Sequence, residues 1–286
     1  MILTHLRLAT LVGLTGLASA TARAHDGLHE KIVKATQQIT AEPRRADLHL
    51  LRSDLYRRHQ DWELAFADLK RATVLDPNIA GAEFTRGQLL RDMGWLTSAA
   101  EFMDLHLEGH PEDLIALRVR AELATQRLRP EGAVGFYDRL IRGSSPATPD
   151  DYIARARAQL AMGAGREKIA LGGVEQGIEK LGDAVSLVFF AVDLDRQVGE
   201  WDRALGRIDR LASYASRKES FQALRGDVLL QAGRRAAAQA AYRSCLESIR
   251  ALRARRRQAP AMQELEARMR LALDDLLTKR RPESKR

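Results

Sequence analysis

Small residues return along this chain at a fixed step, and that step dictates what it can fold into. Ala65, Ala99 and Ala133 stand 34 residues apart, as do Ala170, Ala204 and Ala238. Between the two sets the step is 37, and a Pro/Ser-rich stretch, GSSPATP at 143–149, absorbs the extra three. Twelve positions before each alanine lie Ser53, Gly87, Ala121, Ala158, Val192 and Gly226, mostly small. Four positions after it lie Leu69, Met103, Tyr137, Val174, Ile208 and Tyr242, all apolar or aromatic. Pro77 and Pro111 close the first two units, and Gly94, Gly165, Gly199 and Gly233 mark a turn inside four. Each unit therefore reads as a helix of about twelve residues, a short turn and a second helix of similar length. Two helices approach closely only where their crossing points carry small side chains. The larger residues one turn away fill the space between successive units. A single pair leaves a face unburied, so about three or more must stack.

Composition agrees with a packed, water-exposed helical array. With 29% charged residues and a mean hydropathy of −0.32, the chain is neither a polytopic membrane protein nor a disordered one. One cysteine, Cys245, excludes an intramolecular disulfide framework and a multi-cysteine zinc site. It occupies the register position that Ala72 holds in its own unit, where a thiol acts as a small buried hydrophobe.

The recurring residues resemble the tetratricopeptide repeat family. Ser53, Tyr56, Trp62, Ala65, Leu69, Ala72 and Pro77 carry the likeness first. It recurs in Gly87, Leu90, Leu96, Ala99, Met103 and Pro111, with His106 in a slot that is usually Ala. Later units drift, with Pro130 and Trp201 at the Trp62 position and Val192 in place of a small residue. The likeness spans 46–250 in six units: 46–79, 80–113, 114–150, 151–184, 185–218 and 219–250. It implies an all-α fold, a right-handed superhelix (α-solenoid) of about six helix pairs with a capping helix at each end. Residues 25–45 form the first cap, with one amphipathic helix over 28–40 and Asp26 as its N-cap. Residues 251–286 supply the second cap and a basic tail, with Leu265, Met269, Leu273, Leu276 and Leu277 on one face of a helix over 262–277. The chain also looks like exported bacterial members of the family that begin with a similar H-x-x-x-H-E segment, a likeness that brings no activity with it.

In such superhelices the first helices of the pairs line a concave groove. The groove positions that the resemblance implies here form a polar ladder of Asp54, Gln88, Glu122, Gln159, Asp193 and Asp227. Beside it run Arg57, Arg58, Arg91, Arg118, Arg155 and Arg196, with Leu50, Phe84, Tyr152 and Phe189 interspersed. Guanidinium forks hold carboxylates or backbone carbonyls and aromatics supply anchors, so the expected ligand is an extended peptide or a protein helix. The competing reading is a solvated, self-neutralising charge network. Members that clamp acidic C-terminal peptides of chaperones use Asn along this ladder. Asp, Glu and Gln stand here, so that ligand is not expected.

No catalytic constellation emerges: G-x-S-x-G, the P-loop, G-x-G-x-x-G after a strand and H-E-x-x-H are all missing. The expectation is a non-enzymatic protein without a cofactor. Asp150-Asp151 precedes a helix, where negative charge favours the N-terminal dipole. His106 reads as a packed, hydrogen-bonded histidine. One metal alternative exists: if the chain starts at His25, its amine and imidazole chelate a transition metal with His29 as a further ligand.

The ends carry the charge. Residues 1–24 read as a secretory signal peptide, with an apolar stretch at 8–18 and cleavage motifs Ala18-Ser19-Ala20 and Ala22-Arg23-Ala24. The stretch is too short to span a bilayer, and the alternative is an uncleaved anchor. The mature chain is expected to be periplasmic or secreted, with no transmembrane segment. Residues 250–286 hold 12 Lys/Arg against 5 Asp/Glu, including Arg253, Arg255, Arg256, Arg257, Lys279, Arg280 and Arg281. Of the net charge of +8, +2 lies in 1–24 and +7 in 250–286, leaving −1 on 25–249. The repeats are near neutral. The basic segment either is a solvated tail or docks on an anionic surface, and nucleic acid is not expected as a partner.

Overall fold

A computed structural model describes residues 14–143 and 147–278, with side chains from Gly27 onward. Every regular element among them is helical, and the helices pack in consecutive pairs. The chain divides into two compact units, Met1–Phe136 and Tyr137–Arg286. The first contains α1 (Leu14–Ala41), α2 (Ala46–His59), α3 (Trp62–Leu75), α4 (Ala82–Asp92), α5 (Leu96–Gly109) and α6 (Leu114–Gln126). The boundary falls within α7 (Pro130–Arg142). The second unit continues with α8 (Pro149–Ala161), α9 (Glu167–Leu181), α10 (Val185–Val198) and α11 (Trp201–Tyr214). It closes with α12 (Glu219–Gln231), α13 (Arg235–Ala251), the short α14 (Ala254–Arg257) and α15 (Pro260–Thr278).

The small positions lie where helices cross. Ala65, Ala99, Ala133, Ala170, Ala204 and Ala238 are all fully buried. In the first pair Ser53 donates its hydroxyl to the Ala65 carbonyl at 2.7 Å, so the crossing point also satisfies a polar group. In the last pair no hydroxyl or methyl fits. A Cβ on Gly226 would overlap the ring of Tyr242, itself buried and donating its hydroxyl to Asp227 at 2.9 Å.

The turn inside each pair repeats to the dihedral angle. Gly94, Gly165, Gly199 and Gly233 adopt φ of 81°, 84°, 79° and 75°. The two units that lack this glycine adopt the same left-handed conformation with Gln60 at 68° and Leu128 at 54°. In five of the six turns the following amide reaches back to a carbonyl five residues earlier, as in Arg129 N to Ala124 O at 2.8 Å and Arg234 N to Leu229 O at 2.8 Å. That bond closes a Schellman motif, which ends a helix in a left-handed residue. Leucine pays about 1–2 kcal/mol in this conformation, and Leu128 recovers nothing by burial because it is 86% exposed. Leu128→Gly is therefore expected to stabilise the protein by about 0.5–1 kcal/mol, after the extra chain entropy of glycine is subtracted. Thermal melts of the two proteins check the sign; a lower melting temperature for the glycine variant contradicts it.

Several end features differ from expectation. The described N-terminal helix runs Leu14–Ala41 and so extends well before 28, which puts Asp26 inside α1 rather than at its cap. The backbone hydrogen-bond ladder continues through both cleavage motifs, and residues 1–13 of the signal segment lie outside the described residues. In α15, Met262, Met269 and Leu276 are buried and Leu265 and Leu273 partly so, but Leu277 is half exposed. One residue past Leu276 is a rotation of about 100°, which carries the side chain off the packed stripe. Asp150 and Asp151 stand in the first turn of α8 and not ahead of it, and Asp151 accepts from the Thr148 amide at 2.7 Å and its hydroxyl at 2.8 Å, a capping box that accounts for this acid. His106 is buried and bonded to Asp113 at 2.8 Å. Burial alone raises the Asp113 carboxyl, but hydrogen bonds from His106, Ala116 and Ile115 outweigh it and hold the group below its usual range. Cys245 is fully buried, donating to Glu219 O at 3.2 Å, and burial followed by the nearby Glu219 pushes its thiol up to about 11. It packs as a small buried side chain between α12 and α13.

Candidate partner-binding surface

In the first unit the candidate residues sit on the first helices of the pairs, α2, α4 and α6. Arg57 closes on Asp54 through Nε at 3.0 Å and Nη2 at 2.7 Å, and its Nη1 reaches Asp92 on the next first helix. Arg91 bonds Asp92 through Nε at 3.0 Å and extends Nη1 to within 3.6 Å of Glu122. Arg58, mostly exposed, lies 3.8 Å from Asp54. The six groups form one chain, Arg58–Asp54–Arg57–Asp92–Arg91–Glu122, across the first helices of three successive pairs. Within this chain of groups three cations and three anions cancel, leaving fixed dipoles. Leu50 and Gln88 are half-buried beside the chain. Phe84 is half-buried with its ring 5.3 Å from that of His106. Arg118 is half-buried on α6.

The second unit separates its candidates into two groups. Tyr152 and Arg155 on α8 are buried, Tyr152 1% exposed and Arg155 6%. Arg155 bonds Asp138 through Nη1 at 3.1 Å, and through Nη2 the Gly173 carbonyl at 2.9 Å and Gln176 Oε1 at 3.0 Å. Its guanidinium also lies 5.4 Å from the centre of the Tyr152 ring. Two glycines on α9 make the room: a Cβ on Gly173 would stand 2.9 Å from Arg155 Nη2, and one on Gly177 2.8 Å from Tyr152 Cγ. Gln159 follows them inward, with its Oε1 buried and unbonded. Asp227 is drawn toward its own pair, accepting from Tyr242 and lying 3.6 Å from Arg268.

Phe189, Asp193 and Arg196 on α10 do face an open surface. Arg196 bonds Asp193 through Nη1 at 3.0 Å and Gln231 on α12 through Nε at 2.9 Å, while the Asp193 side chain stays 59% exposed. Phe189 stacks on Phe221 of α12 with centroids 5.9 Å apart and planes at 10°. Adjoining them is an open cleft of about 510 Å³ lined by Phe190, Asp193, Arg196, Gln197, Trp201 and Gln231. Aromatic walls and a half-satisfied carboxylate–guanidinium pair meet there.

Sequence reasoning missed a second arginine series, one residue before the small positions. Arg52 grips Asp68 with two bonds of 2.6 and 2.8 Å, and Asp68 also accepts from His49 Nδ1 at 3.0 Å. Arg86 lies 4.9 Å above the Phe102 ring. Arg120 binds Asp104 at 2.7 and 3.0 Å and covers Phe136 at 4.6 Å. Arg157 lies 5.6 Å over Phe190, and Arg225 meets Asp209 at 2.5 Å. These side chains cement helix to helix, and their recurrence at the repeat step was the available signal. Asp195 was also missed. It is fully buried between Arg207 at 2.7 Å and Arg203 at 3.6 Å, and burial pushes its carboxyl up against the pull of Arg207.

Of the basic candidates, Arg253, Arg255, Arg256 and Arg257 are exposed around α14, and Lys279, Arg280 and Arg281 lie outside the described residues. His29 is exposed on α1, and the side chain of His25 lies outside the described residues. No group of three or more His, Cys, Asp or Glu among the described residues could hold a metal ion. No described helix is long and apolar enough to cross a membrane.

No model of a known protein family matches the chain, and no curated protein matches it. Solved structures do. The C-terminal part of a TPR repeat-containing protein from Cytophaga hutchinsonii aligns with 81% of this chain and 96% of its own at a TM-score of 0.64 and 11% identity. YrrB, described as a TPR protein with an unusual peptide-binding site, aligns with 70% of this chain and 97% of its own at a TM-score of 0.50 and 15% identity. At such identities the likeness is one of fold. With its in-phase alanines, left-handed turns and consecutive helix pairs, the chain has the helical-repeat fold of tetratricopeptide solenoids and resembles that family.

Proposed function

We propose that the chain is a non-catalytic interaction scaffold, exported to the cell envelope, that binds a peptide or protein segment along its first-helix faces. The cleft between α10 and α12 carries this reading. Phe190 and Trp201 offer apolar anchors, and Arg196 and Asp193 offer one donor and one acceptor group beside them. Anchors flanked by a polar pair suit a peptide that brings a bulky apolar side chain and its own backbone hydrogen bonds. The self-neutralised chain of the first unit suits a polar backbone more than a charged ligand. Export rests on the apolar stretch and small-residue motifs of 1–24.

A pulldown from the native host compares wild type with a Phe190→Ala/Arg196→Glu variant. The double variant is expected to lose the captured partner by at least about tenfold, the scale of one interface hot spot. Undiminished capture by a folded variant overturns the groove reading. N-terminal sequencing of the protein recovered from the envelope fraction reports the export reading separately: an intact Met1 start contradicts cleavage.

A further inference from the structure

Many of the described arginines are tied to carboxylates, and others, such as Arg44, Arg71 and Arg129, stand exposed along the chain. Within the helix pairs Arg52, Arg57, Arg120, Arg155, Arg207 and Arg225 each lie against a carboxylate. At the corner between α13 and α15, Arg250, Arg253, Arg255, Arg256 and Arg257 are all exposed. No described carboxylate pairs with them. Their one side-chain contact is Arg257 Nη1 donating to the Arg250 carbonyl at 3.3 Å.

This corner is built, unlike a solvated tail. Ile249 is fully buried on one side of it and Met262 is buried on the other. Between these anchors the amides of Arg256 and Arg257 donate to Arg253 O at 2.9 and 3.1 Å, and Gln258 N donates to Ala254 O at 2.9 Å. Five exposed arginines are thus gathered at the end of α13 and on the ordered turn after it, and no described carboxylate lies within ion-pair distance of them. Arg217, in the loop between α11 and α12, lies nearby with Nη2 3.6 Å from Met262 Sδ, but it differs from the five in having a carboxylate, Glu219, 3.9 Å from its Nε.

We propose that this corner docks the protein on a bilayer surface rich in anionic phospholipid. All the clustered cations are arginines, whose planar forks fit phosphate oxygens in pairs. Residues 253–258 are exposed without interruption, so nothing walls off a pocket for a single ligand or selects by shape. Recognition by charge density over an area, without a cleft or a stacking ring, matches a headgroup layer. The site is in the folded corner, so it does not require residues 279–286.

The test is co-sedimentation of the full chain with phosphatidylcholine vesicles with and without phosphatidylglycerol, at about 0.15 M salt. Wild type is expected to bind only the anionic vesicles. Arg253→Gln/Arg255→Gln/Arg256→Gln/Arg257→Gln removes four cations from positions without side-chain partners in the core, so folding, checked by circular dichroism, is expected to survive. At about fivefold per cation near an anionic surface, its partition is expected to fall roughly several hundredfold. Equal binding to both vesicle types overturns the proposal. So does unchanged binding of this variant, with loss confined to Lys279→Gln/Arg280→Gln/Arg281→Gln. Failure to bind anionic vesicles while retaining a DNA duplex or a polyglutamate chain at the same salt overturns it in favour of a different anion.

Discussion

Gly226→Ala is expected to cost about 2–4 kcal/mol, although the same change in a helix interior ordinarily stabilises by about 1 kcal/mol. The added carbon would enter the ring of Tyr242, and that ring cannot yield. It is buried among α12 and α13, and its hydroxyl is committed to Asp227 at 2.9 Å. Relief requires α12 and α13 to separate along their length, which opens the core they share with Met262 and Met269 of α15. Gly87 provides the internal control. Its Cβ would meet Met103 Cε at 2.7 Å, the flexible end of a buried side chain, and the Ala99 carbonyl oxygen at 3.2 Å, a milder overlap than a rigid ring gives, so Gly87→Ala is expected to cost about 1–2 kcal/mol. Tyr242→Leu should restore much of what Gly226→Ala removes, because it deletes the clashing ring. Urea melts followed at 222 nm rank the variants. Equal costs for the two glycines would show that ring rigidity does not govern the crossing point.

These two glycines also mark the limit of what the sequence reveals. The spacing of Ala65, Ala99 and their successors exposes helix pairs because a crossing point tolerates only a small side chain, a constraint written directly in residue size. The turn is half legible. Glycine announces it in four units, but Gln60 and Leu128 adopt the same left-handed conformation because the Schellman bond and the packing of the pair outweigh their own preference. The groove was harder. Register alone placed Tyr152 and Arg155 beside Phe189 and Arg196, since a helix wheel reports direction but not depth. Depth is set by the facing helix, and α9 carries Gly173 and Gly177 one turn apart where side chains would otherwise fill the space. Those glycines were visible in the sequence, but their partner helix was not. The same holds for Arg57, Arg91 and Arg196. Their positions follow the repeat, whereas their commitment to Asp92, Glu122 and Gln231 depends on which residue the next helix brings within reach.

Arg155→Met is expected to destabilise the second unit by about 2–4 kcal/mol, and Arg196→Met by less than about 1 kcal/mol, although both are arginines of the same ladder. The difference lies in what each leaves behind. Without Arg155, the Gly173 carbonyl and Gln176 Oε1 lose the donor they share, and Asp138 loses its counter-ion. Water can reach the exposed Gln176 and the half-exposed Asp138, so the larger loss is at Arg155 itself, whose buried guanidinium fills the space against Tyr152 that methionine fills less well and without hydrogen bonds. Arg196 leaves Asp193, already mostly in water, and Gln231, so solvent replaces what is lost. Arg155→Lys should rescue little. Its single ammonium group cannot span an acid on α7 and two acceptors on α9 at once, which the flat guanidinium does through Nη1 and Nη2. Partner capture is expected to run the other way, with Arg196→Met impairing it and Arg155→Met affecting it only in proportion to the unfolded fraction. Melting curves and pulldowns on the same three proteins decide the matter. A stable Arg155→Met protein that no longer captures a partner would return Arg155 to the binding surface.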